Sequence, residues 1–515
     1  MRFRDEEGQA VLAIVVLSAI FLLGAVGLGV DGAHYYAQRQ MAQTAADSAA
    51  LAAITSIYNR TNTTGSTAFP TNAAFTCTTT DARTPCYFAS KNGFGGSAAD
   101  TVTIDYPGSA GAPGVSLSPD YPVNVARATI YRNVNTTLLS LLGTSVSSVK
   151  ATATAAIVYV VAPVPILVTH PTLDSSFFMN GTPNVRICGG PSRSIQVNSN
   201  ASTASGVSGG GGSAVVDLSK AGPADSGTCT TGTGADFGAR GGPSSTYAPL
   251  SGHLGTTGHY VQPDLLMQDP LENVPYPPLP VNVAPMGTHV PLANGVSGCP
   301  ASPSKPCQLY YPGVYTGDAT NPAIDGKGST PVFMPGIYYL QSVYASQPSK
   351  GFAIDCSSLC DMNMATGAAA DTMTGTGWTN NVMFYNIGLP ADPTNAGRFN
   401  IAANGGSNLI GAPLNSVYKG VLFFQNRNTV AQAHTMGGGG TMTLQGTIYL
   451  TNTIATMSTT PTQYQALTLQ GGPGSGTLIQ GEIIVGSLAL GGNGAITMNL
   501  NANRYLLVSQ IALVN

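Results

Sequence analysis

Between Ala10 and Val30 the chain reads AVLAIVVLSAIFLLGAVGLGV, 21 residues without a charge. At about 1.5 Å of rise per residue, a helix of that length spans the roughly 30 Å hydrocarbon core of a bilayer. A secretory h-region is shorter, about 7–15 residues, and ends at a small-x-small cleavage site. Val30-Asp31-Gly32-Ala33 is a poor site of that kind. The segment is therefore expected to be a retained transmembrane helix, with the lipid bilayer as its first partner. Flanking charge orients it only weakly. Arg2 and Arg4 precede it beside Asp5, Glu6 and Glu7, and Arg39 lies beyond it; acidic residues count little in the positive-inside rule.

The chain beyond the apolar run is unlike a cytoplasmic enzyme. Charged residues are 8% of 515, against about 25% in an ordinary soluble domain. Ser, Thr, Asn, Gly and Pro fill the polar and turn positions, as suits a β-rich exterior domain. A net charge of −3 with no Lys/Arg cluster gives no footprint for nucleic acid. All eight cysteines lie after the apolar run, in close pairs: Cys77 and Cys86, Cys188 and Cys229, Cys299 and Cys307, Cys356 and Cys360. Even number and local pairing fit disulfides in an oxidising compartment, although connectivity does not follow from sequence. The cysteines place the chain beyond Val30 outside the cytoplasm.

Three regions are expected. Residues 1–57 hold a leader, the transmembrane helix and an Ala-rich extension. Ala is the best helix former, and Leu51, Ile54 and Ile57 recur at helical spacing. Small side chains admit a close neighbour, which is either the helix's own domain or a partner subunit. Residues 58–162 read as a small α+β unit. Strands are expected at 121–132 and 146–161, with a short helix over 135–143 between them, capped by Asn135 and ended by Gly143.

Residues 163–515 read as a large all-β domain, rich in Gly, Ser, Thr and Asn, with a Pro-rich extended connector at 262–285. PG-x-Y turns begin at Pro312 and Pro335, TLQG recurs at Thr443 and Thr468, and LQGG at Leu469 is echoed by ALGG at Ala489. A strand and a Gly turn every 20–25 residues point to a right-handed parallel β-helix or solenoid. A β-sandwich is the alternative.

The opening residues, EEGQAVLAIVVLSAIFLLGAVGLGVDGAHYYAQRQMAQTAADSAALAAI, resemble the N-terminal segment of the Flp pilus-assembly proteins of the TadE/TadG (tight adherence) kind. The pattern is carried by Gly8, Asp31, Tyr35, Tyr36, Arg39, Gln43, Ala45, Ala46, Asp47, Ala49, Ala50, Leu51 and Ala53. The resemblance extends through VNVARATIYRNVNTTLLSLLGTSVSSVKATATAAI, about the first 160 residues. It implies a single-pass protein of the bacterial inner membrane, its bulk extracytoplasmic, with other Tad/Flp pilus-assembly or secretion components as partners. Asp31, Tyr35, Tyr36, Arg39, Gln43, Ala46, Asp47, Ala50 and Leu51 would form its packing helix. Pilin-like members carry Glu five residues after the leader cleavage point; counting from Gln9, that position is Ala13. An anchored accessory protein is implied rather than a major pilin.

Catalytic motifs are sparse, and neither an enzyme nor a cofactor or metal site is expected. Asp325, Asp355, Asp361 and Asp371 are the nearest group of carboxylates, as a polysaccharide lyase or hydrolase would need. Asp174 and Ser176 imitate the start of a von Willebrand-type metal site, but Phe178 stands where a further Ser is needed. His170, His253, His259, His289 and His434 lie at no standard ligand spacing. No G-x-S-x-G elbow or Walker loop is present. Tyr311, Tyr315, Tyr338, Tyr339 and Trp378 offer faces for surface glycans, or form turn ladders and core.

Overall fold

The computed structural model describes residues 5–514 apart from 97–98, 137–139, 141–145, 162–163, 209–213, 244–246, 273, 282–286, 344–349, 366–377, 379, 404–405, 415, 431, 439, 453–465, 472–475 and 501–506. The chain forms two compact units. One comprises residues 1–160 and 509–515, the other 161–508.

In the first unit a single helix, α1 (Asp5–Tyr58), runs through both the apolar segment and the Ala-rich extension. No proline interrupts it, and it ends just before Arg60, whose φ is +57°. Beyond it come β1 (Phe75–Thr76), α2 (Thr84–Lys91), β2 (Asp100–Asp105), β3 (Val125–Asn135) and β4 (Val146–Val161). The strands pair antiparallel in chain order, and the C-terminal strand Leu507–Val514 forms the edge of the sheet beside β4. The strand expected at 146–161 is β4. The one expected at 121–132 begins at Val125. The expected short helix falls mainly outside the described residues, and its proposed cap Asn135 ends β3.

Period two explains how α1 lies on this sheet. In β4, Ala151, Ala153 and Ala155 point to one face while Thr152 and Thr154 point to the other. Ala126, Ala128 and Ile130 of β3 join the alanine face. Arg127 turns to the opposite face and pairs with Asp105, with Nε 3.0 Å from the carboxylate. Against the alanine face lie Ala42, Ala45, Ala46, Ala49, Ala50, Ala53 and Ile54 of α1, all fully buried. The Cys77–Cys86 disulfide ties the segment before α2 into the same core.

The second unit is all-β and parallel. The first sheet runs in space through Val215–Ala221, Asn184–Gly189, Ala495–Leu500, Gly476–Gln480, Thr441–Gln445, Gly406–Ile410, Asn363–Met364, Thr330–Phe333, Cys307–Tyr310 and His289–Leu292. The second runs through Tyr260–Val261, Asp236–Ala239, Arg193–Val197, Ile166–Val168, Ile483–Val485, Thr447–Leu450, Val421–Gln425, Val382–Ile387, Gly336–Gln341 and Gly313–Thr316. The third runs through Ile324–Asp325, Phe352–Cys360, Arg398–Ala403, Ala433–Gly438, Ala466–Gly471, Ser487–Gly492, Phe177–Gly181 and Ser205–Ser208. Each sheet is open at both edges. Among the described strands of this unit, only His289–Leu292 pairs antiparallel, at one edge.

Chain order and spatial order differ in one informative way. The chain enters the second sheet in its middle, at Ile166–Val168, and works outward to the edge strand Tyr260–Val261. Residues 262–288 then carry it to the opposite edges, and it returns strand by strand until Ile483–Val485 pairs with Ile166–Val168. First and last strands are therefore neighbours. The Pro-rich segment is the strap that makes this possible.

Register determines which face the strap covers. Val314, Tyr339, Tyr385, Phe424, Tyr449, Ile484 and Leu167 are consecutive partners across the second sheet. They alternate with Tyr338, Phe384, Phe423 and Ile448, which lie in the main core. The first set therefore faces the other way, and that face is apolar too. The strap shields it: Tyr276 stacks on Tyr385 and packs at a tilt against Phe424, with ring centroids 6.3 and 6.1 Å apart. Arg427 donates to the carbonyls of Leu271 (3.2 Å) and Val274 (2.6 Å), and Asn198 and Gln196 bind the strap backbone at Met267 and Leu265. With both faces covered, Val382–Ile387 is buried at every position, and its sequence VMFYNI shows no alternation.

One loop is held by a single carboxylate. Asp225, 2% exposed, accepts hydrogen bonds from the backbone N–H groups of Gly227, Thr228, Cys229, Thr230 and Thr231 at 2.6–3.2 Å, beside the Cys188–Cys229 disulfide. Burial raises its pKa, but the N–H donors outweigh that and hold it below the ordinary value of 3.8. A carboxyl depressed on folding contributes stability above its unfolded pKa and loses it as pH falls through the folded one. Asp225→Ala is expected to cost about 2 kcal/mol at neutral pH, with the difference from wild type shrinking below about pH 4. Denaturant melts at neutral and at acidic pH check both parts.

Candidate functional site on the N-terminal helix

α1 changes character along its length. From Val11 to Val30 its side chains are mostly exposed on every side: Leu12, Leu17, Phe21 and Leu28 are each more than 60% open, and Phe21 reaches 75%. It is long and apolar enough to cross a membrane. Asp31 marks the transition, being only 5% exposed. It lines a cavity of about 140 Å³ with Leu28, Tyr35 and the end of β3.

Beyond Asp31 the residues singled out from sequence divide between two faces. Tyr35 donates its hydroxyl to the Ser148 carbonyl at 2.9 Å. Gln43 bridges from Asp47 (2.9 Å) to the Thr152 carbonyl (3.2 Å). Ala46 and Ala50 sit wholly inside the core. Of the two ways to cover the alanine stripe, the structure shows the protein's own sheet. Tyr36, Arg39 and Leu51 are exposed, Tyr36 at 63% and Leu51 at 39%. At 100° per residue, Ala33, Tyr36, Ala37, Gln40, Met41, Thr44 and Leu51 fall on one arc opposite the buried alanines, and most of them are exposed. Sequence reasoning missed Met41 and the arc as a unit. The signal was available: these positions recur at three and four.

The remaining candidates are not gathered into a site among the described residues. Asp325 and Asp355 are register partners on neighbouring strands. Asp355 is buried against Lys327, 2.5 Å away, and accepts from Asn400. Asp361 accepts the Gly406 N–H at 2.9 Å, and Asp371 lies outside the described residues. Asp174 accepts from the Thr203 hydroxyl and Ser176 donates to the Ala204 carbonyl, as turn residues do. His170 and His434 are buried, each accepting backbone N–H groups through Nδ1. His259 lies 3.4 Å from Asp236, His289 stacks on Tyr310, and His253 is half-buried. Tyr315 and Tyr338 are core, Tyr339 belongs to the strap-side column, and Trp378 packs near Tyr418.

The cysteines form four disulfides between sequence neighbours: Cys77–Cys86, Cys188–Cys229, Cys299–Cys307 and Cys356–Cys360. Among the described residues, the one group with metal-ligand proximity is Cys77, Asp81 and Cys86. Two of its three members are spent in a disulfide, and Asp81 pairs with Arg83.

No curated protein matches this chain. One solved structure, the competence-associated pilin ComZ from Thermus thermophilus, aligns over 78% of this chain and 85% of its own at 10% identity. Its TM-score of 0.19 is too low to bear on the fold. Residues 8–56 match the Tad family model, described as "Putative Flp pilus-assembly TadE/G-like", and the match falls on the helix whose apolar half is open and whose alanine half is docked.

Proposed function

We propose that this protein is a membrane-anchored accessory component of a Tad/Flp-type pilus-assembly system, presenting its β unit outside the cytoplasm for structural or adhesive contacts rather than catalysis. The observation that carries the reading is the family match over residues 8–56 on a helix with an exposed apolar half. The bilayer covers Val11–Val30, and the four disulfides support an oxidising compartment for the remainder. This location is the bacterial inner membrane, crossed once. Partner helices of the assembly machinery pack on the arc of Tyr36, Met41 and Leu51, since the alanine face is already occupied.

The β unit is read as a right-handed parallel solenoid. Successive strands visit the first, second and third sheets in turn, and each pairs in parallel with the next strand of its own sheet. Parallel crossovers are right-handed in almost all cases. Surface glycans are the adhesive target this reading favours, through hydroxyl- and amide-rich outer faces.

A single-cysteine scan tests the partner face. Leu51→Cys is expected to trap a second polypeptide in cells under mild oxidation, whereas Ala46→Cys, inside the core, is expected to trap none. Failure at Tyr36→Cys, Met41→Cys and Leu51→Cys alike sinks the proposed docking arc.

A further inference from the structure

The strap is fastened at one place more elaborately than a passive connector needs. Asp269 accepts the Tyr449 hydroxyl at 2.6 Å and the Leu271 N–H at 2.9 Å. Tyr449 also receives a hydrogen bond from Arg427 at 3.2 Å, and Arg427 holds the strap carbonyls of Leu271 and Val274. Arg427 further stacks over Tyr276, 4.7 Å from its centroid. A strap carboxyl, a sheet tyrosine and a loop guanidinium thus form one polar cluster over an otherwise apolar column. Beside it the strap stands off the sheet. A cavity of about 200 Å³ opens between Leu266, Met267, Asp269 and Glu272 on the strap side and Thr169 and Thr451 on the sheet side. Elsewhere the strap turns Leu265 outward, 85% exposed, rather than burying it.

We propose that the strap over residues 264–272 and 274–277 is a releasable cover on the aromatic column of Tyr385, Phe424 and Tyr449, latched through Asp269, Tyr449 and Arg427, and held more tightly at mildly acidic pH than at neutral pH. The direction follows from the groups facing Asp269. Its pKa is raised from 3.8 to about 6: burial pushes it up, with Glu272 on the strap, and outweighs Tyr449, the Leu271 N–H and Arg427, which pull it down. An unlatched Asp269 returns to solvent and its ordinary value. Between these values the latched form binds the extra proton, so falling pH favours the latch and rising pH through about 6 loosens it. Release uncovers a row of aromatic faces at the roughly 4.8 Å spacing of neighbouring strands.

Amide exchange on the full chain in detergent or nanodiscs, corrected for intrinsic rates, tests this. Protection at Met267, Leu271 and Val274 is expected to be about tenfold higher at about pH 5 than at about pH 7.5, with no such change at strands of the second sheet. Asp269→Asn is expected to abolish the pH dependence. Tyr449→Phe, which removes a donor that lowers the pKa, is expected to move its midpoint upward. Equal strap protection at both pH values in wild type, or full pH dependence surviving in Asp269→Asn, overturns the proposal.

Discussion

Replacing Val16 and Ile20 together with arginine is expected to move this protein out of the membrane fraction. Both side chains are exposed near the middle of the apolar run, Val16 at 49% and Ile20 at 56%, and neither belongs to the core of the first unit. Each arginine at the centre of a spanning helix costs about 2.5–3.5 kcal/mol on the insertion scale, so the pair costs about 5–7 kcal/mol. Tyr36→Arg is the matched control. It adds the same charge to the same helix beyond the apolar run and is expected to leave anchoring unchanged. Carbonate extraction of membranes reads the result. Retention of the double variant in the pellet would show that something other than α1 anchors the chain.

Arg427→Ala is expected to unlatch the strap at every pH. The side chain is buried, donates to two strap carbonyls and to Tyr449, and lies over three aromatic rings. Removing it strands those acceptors and takes away a cation that faces Asp269. Breaking one side of a buried charged network costs about 3 kcal/mol or more, which makes strap opening on the order of a hundredfold more frequent. Arg427→Lys should recover little, because one ammonium cannot serve both carbonyls while stacking on Tyr276. Limited proteolysis between Leu265 and Tyr276 gives the readout. A variant cut no faster than wild type would show that the aromatic contacts alone hold the strap.

The long apolar helix was legible because 21 uncharged residues run without a break, and β4 was legible because Ala and Thr alternate through it. The partner of the alanine stripe was not legible. Alanine permits close approach by any neighbour, and a sheet face of Ala126, Ala151 and Ala153 satisfies it as well as a foreign helix. The sequence echoes marked turns rather than register. The two PG-x-Y motifs are 23 residues apart, Pro312 to Pro335, yet Gly313 pairs with Tyr338, and Gly336 pairs with Val382. The TLQG copies lie in different sheets, at Thr443 and Thr468. LQGG and ALGG do belong to neighbouring strands, but Leu469 pairs with Leu490, one residue off the echo. The strap was legible as an extended Pro-rich connector, but the face it packs on was not. Its importance resides in an outward aromatic column, and a strand apolar on both faces hides which residues point outward.

The β unit is spliced between β4 and the C-terminal strand, both of which belong to the sheet under α1. It therefore has one covalent lead to α1, through β4, while its other end is held in the same sheet by strand pairing. A nick before Leu507–Val514 leaves the unit covalently joined through β4, whereas a nick just after β4 leaves it held only by the pairing of that last strand. A pull on the β unit is shared between these two adjacent strands of one sheet.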